Sequence, residues 1–241
     1  ATKRKDSIIY LIIGILILSR QVILSIIIEA LVIYLLKNKI SKKQIILVII
    51  IAFICFFGFN ILGNIRSEGM SNIENVFMAK EEYNKLPTSV KWAYSYMTFS
   101  LGNFNNLTKI TDGGIANGYY TLSEILPNVI LNSLNIENNN EINYLVSPNF
   151  TVSTYLPSVY LDFGVYGIII LNMIIAIIGI ILYKKLYCYN SIKNRLYYSI
   201  FLHNILFLFF INMFTYLPII IQFLYVFIIF TEKEKVSEAN S

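Results

Sequence analysis

Three side chains at the edges of long apolar runs have the chemistry expected of a catalytic site. Asp162 lies just inside one apolar run, Arg20 interrupts another, and Arg66 closely follows a third. Arginine binds phosphate oxygens bidentately, and a carboxylate can hold an arginine in place or accept a proton. These residue types predict a site for a phosphate-bearing ligand at a membrane surface.

Each of the three residues also has a structural interpretation. Arg20 could form an ion pair with Asp162 or Glu29, since a charge within an apolar run usually faces a partner or water. Arg66 could be an interfacial arginine whose side chain reaches from a helix end toward water. Asp162 could be a general base, could orient an arginine, or could be a polar residue at a helix mouth.

The composition is that of an integral membrane protein. Of the 241 residues, 56% are hydrophobic and 14% are charged, and several apolar runs are long enough to cross about 30 Å of hydrocarbon. The net charge of +5 does not indicate nucleic-acid binding, because the basic residues cluster between the apolar runs. The chain begins at Ala1 without a methionine, and we expect it to be the C-terminal part of a longer protein.

The distribution of charge predicts the topology. Thirteen of the 19 Lys and Arg residues lie in four short basic clusters, whereas the long region 61–157 carries five basic and eight acidic residues. Basic loops stay in the cytoplasm, so the long region is expected outside. The sequence therefore predicts a single all-α, polytopic membrane domain with an external loop at 61–157 and membrane spans at 7–18, 22–36, 44–60, 158–183, 196–213 and 216–230.

Two of these apolar runs need a turn in the middle. The run of residues 7–36 is expected to form a hairpin with Arg20 at its outer apex. The alternative is one long tilted helix through Arg20, which would reverse the topology of the rest of the chain. The last run is expected to turn near Thr215 to Pro218.

The external loop has local patterns of its own. Its many aromatic residues are typical of a membrane–water interface. Residues 123–134 predict a short helix lying on the membrane with Ser123 as its cap. Asp112-Gly113-Gly114 and Asn117-Gly118 predict turns, and residues 136–143 predict a mobile excursion.

One stretch resembles a known family. The loop ends in NFTVSTY at residues 149–155, and YLDFGVYG follows at residues 160–167. This segment resembles the bacterial oligosaccharide repeat unit polymerases, the Wzy-type O-antigen and capsule polymerases, and so does the Ser19-Arg20 pair within an apolar run. The related O-antigen ligases have a catalytic histidine in the large external loop, and no histidine lies in this loop.

The resemblance implies a GT-C-like membrane glycosyltransferase of the bacterial cytoplasmic membrane. Such an enzyme transfers a glycan from undecaprenyl diphosphate to a hydroxyl of another lipid-linked repeat unit at the outer face, without a nucleotide sugar, metal or cofactor. Membrane lipid, a chain-length regulator and a flippase would be its partners, and nucleic acid would not. The site residues implied are catalytic Arg20, Arg66 and Asp162, and substrate-binding Asn149, Thr151, Thr154 and Tyr155.

Three other functions remain open. A lipid A-core or teichoic-type glycan ligase would differ in its acceptor. A lipid or glycan transporter would be expected to show related halves with broken helices, and no internal repeat is visible in the sequence. A purely structural membrane subunit would not require Arg20, Arg66 and Asp162 to face one another.

Overall fold

The computed structural model describes residues 20–37, 41–66, 83, 85–136, 142–147 and 151–239. These residues form an all-helical fold without strands. They belong to two compact units, residues 1–96 and 97–241; the predicted single membrane domain stays a prediction. The helices are α1 (Arg20–Lys37), α2 (Lys42–Arg66), α3 (Thr88–Ile110), α4 (Tyr119–Ser123), α5 (Asn128–Ser133), α6 (Leu156–Cys188), α7 (Ile192–Phe207) and α8 (Leu217–Ala239).

In the first unit, α1 packs against α2. A reciprocal cap starts α2: the Ser41 amide donates to Gln44 Oε1 at 2.7 Å, and the Gln44 amide donates to Ser41 Oγ at 3.4 Å. Such a pair satisfies two of the amides that a helix start leaves without partners. The predicted span 7–18 and the first arm of the predicted hairpin lie outside the described residues, whereas α1 covers Arg20 and the predicted span 22–36.

Helix α3 was not expected from the sequence. Its 23 residues lie within the predicted external loop, where the aromatic residues suggested only an interface. Its buried residues include Trp92, Asn103 and Leu107. They are separated by 11 and 4 positions, which is close to three turns and one turn of a helix, so they lie on one helix face. Asn103 and Ser100 on the buried side make the face look polar in the sequence, which conceals the period.

The helix predicted over residues 123–134 is present only in part, as α5 at Asn128–Ser133. Ser123 is the last residue of α4 rather than a cap. Pro127 has an extended backbone (φ −60°, ψ 147°) and caps α5 instead, since proline cannot continue a helix that precedes it. The predicted turns are present: Gly113, Gly114 and Gly118 all have positive φ.

Helix α6 is long and apolar enough to cross a membrane, and it is the one helix that meets this test within the described residues. Its 33 residues extend beyond the predicted span 158–183 at both ends. Large apolar side chains along its second half, such as Ile170 and Met173, are more than half exposed. Exposed apolar surface of this extent indicates contact with lipid or another protein.

Helices α7 and α8 pack together around a core of Ile200, Met213, Ile219 and Val226. The turn between them spans residues 208–216, earlier than the predicted turn at Thr215 to Pro218. Pro218 instead lies in the first turn of α8, a position that needs no amide hydrogen bond.

Candidate functional site

The segment that carries Asp162 is a break in α6. Gly164 has φ 63° and ψ −155°, a region of backbone conformation that is essentially restricted to glycine. The sequence predicted an unbroken span over residues 158–183. The α6 helix therefore consists of a short half, residues 156–163, and a long half, residues 165–188.

The short half folds back beside the start of the long half. Tyr155 and Asn172 are 17 positions apart, yet the Tyr155 hydroxyl donates to Asn172 Oδ1 at 2.8 Å. In a straight helix these positions would be about 26 Å apart. A Cβ added at Gly167 would lie 3.1 Å from the Val159 carbonyl oxygen, which again requires that the two halves lie in contact.

The glycine loop, which contains Gly113 and Gly114, forms hydrogen bonds to the backbone beside the break in α6. The Gly114 amide donates to the Tyr160 carbonyl at 3.0 Å, and the Ile115 amide donates to the Leu161 carbonyl at 2.7 Å. The last carbonyls of a helical segment lack partners within that segment, so this loop supplies them for the short half of α6. In return, the Tyr160 hydroxyl donates to the Thr111 carbonyl at 3.0 Å.

The carboxylate of Asp162 caps a second segment of the same region. It is 2% exposed and accepts from the Tyr120 amide on Oδ1 at 3.0 Å and from the Thr121 amide on Oδ2 at 2.7 Å. Those are the amides that a helix N-cap normally satisfies, and Gly118, the N-cap of α4, has no side chain to do so. Asp162 therefore replaces the missing cap from 41 or 42 positions away.

A second carboxylate was missed by the sequence analysis. Glu124 directly follows α4, and its Oε1 accepts from the Ser158 hydroxyl at 2.8 Å. Its Oε2 accepts from the Thr215 hydroxyl, which lies in the turn before α8. Three segments far apart in the sequence thus meet at one exposed acid, and no local sequence pattern could have shown this.

No family model, curated protein or solved structure matches this chain. What the chain does must therefore be inferred from its own residues. The geometry that bears on function is the corner formed by the α6 break, the glycine loop and the two carboxylates, Asp162 and Glu124.

The four residues predicted to bind substrate differ in their surroundings. Thr154 is buried, and its hydroxyl oxygen accepts from the Leu156 amide at 3.3 Å. Tyr155 is half-buried and donates to Asn172, Thr151 is exposed, and Asn149 lies outside the described residues. Their predicted contact with substrate stays a prediction.

The segment that leads into α6 is held by α3. The side-chain amide of Asn103 donates to the Val152 carbonyl and its oxygen accepts from the Val146 amide, both at 2.8 Å. Asn106 donates to the Tyr144 carbonyl at 3.0 Å. Helix α3 thus fixes the chain that precedes the predicted site residues Thr154 and Tyr155.

The structure places the two predicted arginines by their backbone. Arg20 is the first residue of α1 and Arg66 the last residue of α2, and the positions of their side chains lie outside what the structure describes. Both belong to the first compact unit, whereas Asp162 belongs to the second. That the three side chains form one pocket stays a prediction.

Proposed function

We propose that this chain is a multi-pass glycosyltransferase of the bacterial cytoplasmic membrane. It would polymerise oligosaccharide repeat units carried on undecaprenyl diphosphate into O-antigen or capsular polysaccharide. The observation that carries the proposal is the corner at Asp162 to Gly167. The residues that resemble the repeat unit polymerases form a glycine break at the mouth of the apolar helix α6, with one carboxylate buried in backbone contacts and a second one exposed beside it.

The exposed apolar residues support a membrane bundle with more than one span. Helix α2 presents Ile46, Phe53 and Ile54 to the surroundings with more than half of each side chain exposed. An aqueous surface rarely tolerates a continuous apolar patch of this kind. Together with α6 and the apolar 217–231 stretch of α8, this surface supports the multi-pass topology that the charge pattern predicts.

In the proposed reaction the leaving group is a diphosphate, whose developing negative charge needs fixed cations. Arg20 and Arg66 are proposed to supply them. Asp162 has both oxygens occupied by backbone amides, so its proposed contribution is to hold the α4 turn in place. Thr151 is exposed and is proposed to contact sugar.

The test uses a bacterial strain that lacks this chain and is complemented with variants. We expect Arg20→Ala and Arg66→Ala each to lower polymer formation by about 100-fold or more, while lipid-linked single repeats accumulate. Arg20→Lys should also be impaired if the contact to phosphate is bidentate. The matched control is Arg195→Gln, because Arg195 binds Asn190 beyond the other end of α6. Full-length polymer from both alanine variants would show that neither arginine is needed for the reaction.

A transporter of lipid-linked glycans is the second candidate, and the break at Gly164 favours it. Apolar helices interrupted at a substrate site are typical of secondary transporters. The two functions differ in where the substrate accumulates when the chain is absent. Lipid-linked single repeats at the outer face, accessible in spheroplasts to an added glycosidase, support the polymerase, whereas repeats retained at the inner face support the transporter.

A further inference from the structure

We propose that Glu124 is the residue that accepts the proton of the attacking sugar hydroxyl. This inference rests on the proposed polymerase function and names a catalytic residue that the sequence analysis did not identify. It follows from the contacts, the exposure and the support of this one carboxylate.

Two hydroxyl groups from different segments hold the Glu124 carboxylate. Its carboxylate accepts from Ser158, which lies in the short half of α6, and from Thr215, which lies between α7 and α8. Thr215 is 8% exposed, and its hydroxyl is also 3.2 Å from the Asn212 carbonyl oxygen. The two hydroxyls fix the direction of the carboxylate without neutralising its charge, since neither carries a positive charge.

Glu124 is more accessible to a ligand than Asp162 is. Glu124 is exposed, whereas Asp162 is 2% exposed and binds two backbone amides. A carboxylate has about four lone-pair positions, so after two hydroxyl contacts Glu124 can still accept a hydrogen bond from a ligand. Of Asp162 and Glu124, Glu124 is the one that a sugar hydroxyl can reach.

The short half of α6 supports Glu124 and the α4 turn before it. Ser158 and Asp162 are four residues apart on α6 and therefore share one helix face. Asp162 holds the amides of Tyr120 and Thr121, three or four residues before Glu124, and Ser158 holds the Glu124 carboxylate itself. Asp162 is thus a positioning residue, and the break at Gly164 sets the orientation of the face that carries both contacts.

The proposed step forms one bond, breaks one bond and moves one proton. The acceptor hydroxyl oxygen forms a bond to the anomeric carbon of the donor glycan, and the bond from that carbon to the diphosphate oxygen breaks. The electron pair leaves with undecaprenyl diphosphate. The hydroxyl proton moves to a Glu124 oxygen and from there to water when the product departs. A positioned base typically accelerates such a transfer by 10²–10⁴-fold.

The experiment uses the full chain, purified into lipid nanodiscs. The substrate is the pool of lipid-linked single repeats extracted from the deletion strain. Glu124→Gln keeps the size of the side chain and can still hydrogen-bond both hydroxyls, but it cannot take up a proton. We expect its kcat to fall by about 100-fold or more with KM little changed. Glu234→Gln, the same change at the charged end of α8, is the control and should keep full activity.

Two further variants test whether Glu124 acts as a base or only supports the structure around it. Glu124→Ala should be inactive, and added sodium formate should restore part of its activity because formate can occupy the space and accept the proton. Ser158→Ala should lower kcat by at most about tenfold, the effect of one lost hydrogen bond. A kcat of Glu124→Gln equal to that of the unaltered protein, or a Glu124→Ala variant that formate does not reactivate, would contradict the assignment.

The outcomes also distinguish this inference from the proposed function. If the deletion strain accumulates no lipid-linked single repeats and still makes polymer, the polymerase proposal is wrong and the role of Glu124 falls with it. If the unaltered protein polymerises the extracted repeats and Glu124→Gln does so equally well, the polymerase proposal stands and only the role of Glu124 is wrong.

Discussion

The contact between the glycine loop and the break in α6 leads to a prediction that compares two adjacent glycines. Gly113 and Gly114 both have positive φ, of 77° and 69°. Their surroundings differ. A Cβ at Gly113 would lie 2.5 Å from the Tyr160 carbonyl oxygen, whereas a Cβ at Gly114 would meet nothing closer than 3.8 Å. Alanine at either position is strained, but only Gly113→Ala also pushes the loop away from α6.

The expected magnitudes follow from these distances. Left-handed backbone costs an alanine about 1–2 kcal/mol, and we expect this cost for Gly114→Ala. In Gly113→Ala the displaced loop also loses its hydrogen bonds to the Tyr160 and Leu161 carbonyls. A buried polar group without a partner costs about 1–3 kcal/mol, so the two carbonyls add about 2–6 kcal/mol and the total for Gly113→Ala is about 3–8 kcal/mol.

The assay is the apparent midpoint of thermal unfolding in detergent, measured by size-exclusion chromatography of the heated fluorescent fusion protein. For a chain of this size each 1 kcal/mol moves the midpoint by about 2–4 °C. Gly113→Ala should therefore melt at least about 4 °C below Gly114→Ala. Equal midpoints for the two variants would show that the loop does not hold the α6 break.

Three further predictions use the same assay. Asn103→Ala removes the two hydrogen bonds of the Asn103 side chain to the chain before α6 and should cost about 2–4 kcal/mol, whereas the exposed Asn105→Ala should change stability by less than about 0.5 kcal/mol. Gly167→Ala places a Cβ 2.4 Å from a neighbouring Cβ and should cost about 1–3 kcal/mol. Its control, Gly102→Ala, has room for the methyl group, with nothing closer than 3.6 Å, and should stabilise the helix by up to about 1 kcal/mol. Tyr155→Phe loses the hydroxyl contact between the two halves of α6 and should cost about 1 kcal/mol; no change in its midpoint would argue that the halves are held elsewhere.

The sequence could predict the helices whose apolar runs are continuous. The apolar run at the centre of α6 and the glycine turns at Gly113 and Gly118 were visible because each depends on residues close together in the chain. Helix length was underestimated at both ends of α6. The flanking residues are polar or aromatic, and helix propensity allows both in the terminal turns.

The sequence could not predict the arrangement of the corner. The break in α6 is a property of Gly164 together with the loop that binds it, and a glycine in an apolar run does not by itself distinguish a break from close helix packing. The buried cap role of Asp162 and the contacts of Glu124 join residues 34 to 91 positions apart. Such pairings follow from the folded chain and leave no local pattern.

The order of the corner's parts along the chain has a consequence for biosynthesis. The Gly114 and Ile115 amides precede the carbonyls that they bind by 46 residues, so at about 5–20 residues per second they leave the ribosome roughly 2–9 s earlier. The partner of the break is thus already made when the apolar helix is synthesised. In a permuted gene that translates α6 before α3, the break would be synthesised before the glycine loop. The product should show whether formation of the break depends on the earlier synthesis of that loop.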